Sequence, residues 1–351
     1  MKIYCLSLLF CMLLTVPAKS ADIPSDLYSA MPQGTEELVG EDYSAAGFSG
    51  AIGTMLETLG EKGKEILRSR LRGAASVLLV AVFCAAVGTV GEGTKFLPAA
   101  GGLAVTMLSA GSLEDLIGLG AGTISQLNRF SKVLLPTLAA SAAVSGSPLS
   151  ASMQQVTAVF LVGLVTSLIS GLLLPLTYLY IGVLSAGSCL QEPRLAAIAK
   201  WLKGIVTWSL TTTLLLFTTY LSVAHVLTGA TDAAAVKMTK TAISASVPVV
   251  GSVISDAAET VLAGAALVKN TIGIFGVLVI LAAVALPFLH LGIQYLLYKA
   301  AAFLSAAMGV PWLSKLIDGL GGAFGLVLGM TGGCAVLLLV SVLCFLRVVT
   351  V

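Results

Sequence analysis

The chain has 351 residues, of which 57% are hydrophobic and only 10% charged, with a mean hydropathy of +1.01 and a net charge of +2. A soluble domain carries about 25% charged residues, so this chain has too little polar surface to cover a water-facing exterior. Composition identifies an all-α, polytopic integral membrane protein, and the near-neutral balance excludes a strongly basic nucleic-acid binder.

At the N-terminus, Lys2 followed by the apolar stretch Ile3–Val16 and the small residues of Pro17-Ala18-Lys19-Ser20 reads as a secretory signal peptide over 1–20, cut before Ala21. The alternative is an uncleaved first anchor, for which the core is short. Residues 21–50 carry Asp22, Asp26, Glu36, Glu37, Glu41 and Asp42 among Gly, Pro and Ser, the composition of a flexible acidic lead. Over 51–72 the apolar residues Ile52, Met55, Leu56, Leu59, Ile66, Leu67 and Leu71 take helical spacing. They interleave with Lys62, Lys64, Arg68, Arg70 and Arg72, which predicts a basic amphipathic helix on the membrane surface.

Residues 73–129 hold two short apolar runs, Gly73–Val90 and Phe96–Ala110, and a weakly apolar, interfacial stretch from Ser112 to Arg129. Further runs follow at Lys132–Gly146, Val156–Leu174, Pro175–Leu190, Gly204–Leu227, Val247–Val268, Thr271–Leu286, Pro287–Met308 and Leu320–Leu346. Several are shorter than the roughly 20 residues a straight span needs, so the expectation is roughly seven to ten spans, some of them broken or re-entrant. Pro136 and Pro248 are 112 residues apart, as are Pro175 and Pro287, and the second pair sits in similar settings, Leu174-Pro175-Leu176 and Leu286-Pro287-Phe288. This pattern divides the membrane region into two related four-segment units, 130–228 and 245–346, which are parallel repeats if all four segments of each cross; the alternative is a coincidence of proline spacing. Glu192, Arg194, Lys200 and Lys203 make the 191–204 loop net positive, which places it inside.

Within the apolar stretch Val247–Gly276, Asp256 and Glu259 lie three positions apart on one helical face with Ser252 and Ser255. An ionisable residue at a membrane helix centre costs about 2.5–3.5 kcal/mol on insertion scales. Two readings stand: a membrane-buried polar site for an ion, a proton or a partner's basic residue, or surface acids paired with Lys269 or Lys240. His290, Gln294 and Tyr298 recur at i, i+4 and i+8 and line one face of the Pro287–Met308 helix, either bonding across to other helices or lining a pore or proton path. Gly321, Gly325, Gly329 and Gly333 form a small-residue ladder for close helix packing, within the chain in preference to an oligomer interface. The cysteines lack metal or redox spacing and read as small packing residues. No phosphate-binding, metalloprotease or nucleophile-elbow motif is present, so the sequence points to a non-enzyme without a cofactor whose energy comes from a gradient or another polypeptide.

The stretch VPVVGSVISDAAETVLAGAALVKNTIGIFG, Val247–Gly276, resembles the signature of the stage III sporulation protein AE family of endospore-forming bacteria, and the likeness extends over about Gly73 to the C-terminus. The resemblance implies a subunit of the mother-cell membrane around the forespore. Its implied partners are the other stage III A proteins, an ATPase subunit among them, and a forespore membrane protein. It also implies a role in a secretion-like channel needed for spore development. The alternatives are a stand-alone secondary transporter for a small ion or metabolite, and a scaffold without a pathway of its own.

Overall fold

Long stretches of Leu, Val, Ala and Ile satisfy their backbone as helix where no water is available to do so, and every regular element among the described residues is helical. The computed structural model describes residues 23–39, 45–89, 96–145, 148–246 and 251–347, with side chains for all of these except 37, 45–46, 148–150, 221–263 and 347. Two short helices, α1 (Ser25–Ser29) and α2 (Glu36–Val39), precede the long ones. These are α3 (Ala45–Gly88), α4 (Leu97–Val144), α5 (Pro148–Leu168), α6 (Leu174–Leu190), α7 (Pro193–Ser246), α8 (Gly251–Ala307) and α9 (Pro311–Arg347). A single π-helical turn, Ile169–Leu173, joins α5 to α6.

Among the described residues, five stretches are long and apolar enough to cross a membrane: Gly47–Gly88, Leu97–Val144, Ala151–Leu190, Gly264–Ala307 and Pro311–Leu346. Neighbouring apolar runs fuse into helices fewer and longer than the separate runs. Phe96–Ala110, Ser112–Arg129 and Lys132–Gly146 become one helix of 48 residues, and the three runs after Val247 merge into one of 57. Pro136 and Pro287 sit inside these helices without ending them. Proline removes one helical hydrogen bond, and packing on both sides of the gap holds the helix together. Pro175 lacks an N–H for the carbonyl of Gly171, and Gly171 lies in the π turn, where the helix absorbs the mismatch. Likewise the basic stretch 51–72 is the first half of α3, continuous with the span that follows it.

Helices α8 and α9 form a central antiparallel hairpin. α4 packs on both, α3 on α8 and α4, α5 and α6 on α4, and α7 on α6, α5 and α9. Thr271 to Ile280 of α8 are buried at ten consecutive positions, so this stretch is enclosed around its whole circumference. The ends of α3, α6 and α8 and the starts of α4, α7 and α9 share one end of the bundle: Gly101 meets Cys84 and Trp312, Gly102 meets Cys189, and Gly187 meets Leu195.

Both hairpin turns at this end are built alike. α8 closes with Val310 N–H donating to Ser305 C=O and Gly309 N–H to Ala306 C=O, with Gly309 at φ +82°. This is a Schellman cap, and the left-handed residue it needs is most cheaply a glycine. α6 closes on Gln191 at φ 54° with Glu192 N–H donating to Gly187 C=O. Each turn is followed by a proline at the first helical position, Pro193 and Pro311, where its missing N–H is not needed.

The N-terminal residues depart from expectation. Acidic composition predicts a flexible lead, yet Leu27, Pro32, Thr35, Leu38 and Val39 are buried against the bundle, and the Tyr28 ring sits 5.4 Å from that of Phe275. Net charge does not register a few well-spaced apolar residues, and these are enough to dock the segment onto α4, α3 and α8. The signal-peptide residues lie outside the described ones.

Candidate functional site

Along α8 the positions Ala283, Pro287, His290, Gln294 and Tyr298 follow one another at helical spacing and share a face. Opposite them on α4 run Gln126, Thr123, Gly122 and Gly118, then Ser109 further on. The third wall is α3, whose Gly63 meets Leu289 and whose Arg70 lies within electrostatic reach of both His290 and Tyr298. A polar track is therefore held between three helices.

At one end of the track is a cleft of about 410 Å³. Gly118, Gly122, Thr123 and Gln126 of α4 form one wall, Ala282, Ala283, Leu286 and Pro287 of α8 another, and Gln33, Gly34 and Thr35 the third. Pro287 has no N–H, so the Ala283 carbonyl loses its helical donor at the cleft wall. Gly34 turns the N-terminal segment with φ +81°, and the Thr35 hydroxyl donates to Pro32 C=O at 2.7 Å.

At the other end Tyr298, 2% exposed, donates its hydroxyl to Ser109 Oγ at 2.9 Å, with the Gln294 side chain within hydrogen-bonding reach of the same phenol. The Tyr298 ring also meets Phe324 edge-on at 5.1 Å. Between the two ends, His290 Nδ1 and Gln294 Oε1 are buried without a partner, although Gln294 is only 1% exposed. A buried polar atom left without a partner costs about 1–3 kcal/mol, so two on one track set it apart from the satisfied polar groups elsewhere in the bundle.

The sequence-predicted residues are distributed as follows. The structure brings His290, Gln294 and Tyr298 together and adds Ser109 and Arg70, which sequence spacing alone did not select. Asp256, Glu259, Ser252 and Ser255 fall on the first turns of α8, but their side chains lie outside the described residues. Lys269, offered as a partner for those acids, is 1% exposed and donates Nζ–H to Leu346 C=O at 3.4 Å, placing a cation at the C-terminal end of α9. Gly321 and Gly325 lie against Tyr298 and Tyr295 of α8, whereas Gly329 and Gly333 lie against Leu210 and Leu214 of α7. One ladder thus seats two neighbours in succession. Among the described residues no three His, Cys, Asp or Glu side chains converge as a metal site.

A charged cluster on the opposite side of α8 was missed. Lys299 Nζ pairs with Asp318 Oδ1 at 2.6 Å and lies 5.6 Å from the centre of the Tyr295 ring. Lys203 of α7 reaches into the space left by Gly322, where an added Cβ would lie 2.6 Å from Nζ, and the Tyr180 hydroxyl beside it donates to Gly319 C=O at 2.8 Å. The signal was present: Lys299 and Asp318 lie almost equally far before and after Gly309, as Tyr180 and Lys203 do about Gln191. An antiparallel hairpin brings such pairs to one level.

No solved structure matches the chain. The curated protein "Stage III sporulation protein AE" of Bacillus subtilis (strain 168) is 29% identical over 216 residues, which cover 61% of this chain and 54% of that protein. The chain thus spans about half the length of the curated relative it matches. The profile described as stage III sporulation protein AE matches residues 57–349, a region that takes in α4 to α9, most of α3 and the whole polar track, and the chain belongs to that family.

Proposed function

We propose that this chain is the membrane-embedded, permease-like subunit of the stage III A secretion-like channel between mother cell and forespore, required for spore development. It sits in the mother-cell membrane around the forespore. Its partners there are the other stage III A proteins, including an ATPase subunit, and a protein of the forespore membrane. The observation that carries the reading is the α3–α4–α8 track, a row of hydrogen-bonding side chains and a freed carbonyl inside an otherwise apolar bundle. Polar groups at this depth are costly and face helices or water-filled paths, and a path is what a permease subunit contributes. Asp256 and Glu259, with Ser252 and Ser255, belong to the same reading as a second intramembrane polar site.

Complementation of a spore-forming host that lacks its own copy tests this. His290→Ala with Gln294→Leu lowers spore yield by tenfold or more while the protein still inserts, and Asp256→Ala with Glu259→Ala does the same if the second site is used. Full yield from a correctly inserted His290/Gln294 variant removes the track from the mechanism. Gradient-driven uptake of a small solute by the isolated protein in liposomes would favour the stand-alone transporter instead.

A further inference from the structure

The residues before the family-matched region reach the cleft described above. Gln33, Gly34 and Thr35 form one wall of the cleft at the end of the polar track, and the segment that carries them is anchored by Leu27, Leu38 and Val39, with Ile23, Ala30 and Met31 packed beside them. Leu27 and Leu38 are 0% and 3% exposed, and the Tyr28 ring meets that of Phe275 at a tilt of 54°. The left-handed turn at Gly34 lays Gln33 and Thr35 over Thr123 of α4 and Pro287 of α8. The matched region begins only at residue 57, so the shared bundle is defined without this segment.

We infer that residues 23–39 are a plug, a short folded segment that closes the α4–α8 cleft and withdraws to open it. The energetic basis is a contrast in anchoring. The walls of the cleft belong to helices of more than 45 residues packed along their length, whereas the plug is held by two short helices and a turn. Local segments with few buried contacts open at a much lower free energy than the core. What the plug regulates rests on the permease-like reading above, but its test reads closure alone, so either can fail without the other.

The test uses full-length protein in liposomes, in a background with the native cysteines replaced by alanine, and a membrane-impermeant maleimide as the probe. Three single cysteines are compared: Thr123→Cys in the cleft wall, Thr35→Cys on the plug, and Leu338→Cys in the core of α9, all buried. Each is labelled with and without Leu38→Asp, which places a charge where the plug docks, and independently with Leu27→Asp. Labelling of Thr123→Cys and Thr35→Cys at least tenfold faster in both Asp variants, with Leu338→Cys unchanged, supports the plug. Two results would overturn it: Thr35→Cys becoming reactive while Thr123→Cys does not, so that the segment leaves without uncovering the cleft, or Leu338→Cys rising in parallel, so that the segment is part of the fold.

Discussion

Tyr298 and Gln294 lie four residues apart on α8 and are almost equally buried, yet they differ in bonding: the phenol has Ser109, and the amide oxygen has nothing. That difference sets separate expectations for their removal. Tyr298→Phe loses an interhelical hydrogen bond worth about 0.6 kcal/mol on average in membrane proteins and lowers stability by about that much. Gln294→Leu keeps the volume and relieves an unpartnered oxygen but gives up the amide's contact with the Tyr298 phenol, so the two effects offset and stability changes by less than about 1 kcal/mol. Denaturant unfolding in detergent micelles measures both, and a loss above about 1 kcal/mol for Gln294→Leu would mean its oxygen is bonded after all. Helical spacing alone put these two residues on one face. It said nothing of Ser109, which is 189 residues away in sequence, or of Arg70, because contacts between distant segments leave no local period.

At the scale of the helix, spacing and crowding turn out to be different things. The Gly321–Gly333 ladder was legible because four glycines repeat at every fourth position, but the tightest approach is not confined to it. A Cβ on Gly101 would lie 2.7 Å from Cys84 Sγ and 2.8 Å from Trp312, and one on Gly332 2.9 Å from the Phe288 ring, whereas one on Gly118 would meet nothing within 4 Å. Gly101→Ala is therefore expected to cost about 1–3 kcal/mol through overpacking at the junction of α3, α4 and α9. Gly118→Ala gains about 0.5–1 kcal/mol from helix propensity and the loss of backbone freedom. Thermal unfolding of the two variants side by side checks the ordering, and equal effects would refute it. A glycine's need for emptiness is set by its neighbour, which the glycine's own segment does not encode. The merging of short runs into long helices was hidden for a related reason: hydropathy windows stop at Ser112–Arg129 or at Pro287, whereas helix continuity depends on what packs around them.

For the molecule as a whole, the segregated apolar runs made a helical membrane bundle plain, and the direction of each helix follows from which turns are tight. Gln191 and Gly309 cap neighbouring hairpins at one end, and Val144 closes α4 at the other. Single cysteines at Gln191 and Gly309 are expected to react from the same side of sealed membrane vesicles, and one at Val144 from the opposite side. Labelling of Gln191 and Gly309 from opposite faces would overturn the arrangement. The docked N-terminal segment was the least legible feature, because six acids in its composition outweighed the five residues that fix its place.

At about 1.5 Å per residue, the 57-residue helix α8 is a rod of about 85 Å, nearly three times the hydrocarbon thickness of about 30 Å. A rod that long works as a lever. If the enclosed stretch from Thr271 to Ile280 serves as the fulcrum, a tilt of about 5° carries the far tip, near Met308, about 4 Å sideways. Force applied to the opposite arm, in the first turns that carry Asp256 and Glu259, would thus be felt at the hairpin turns without any helix having to unwind.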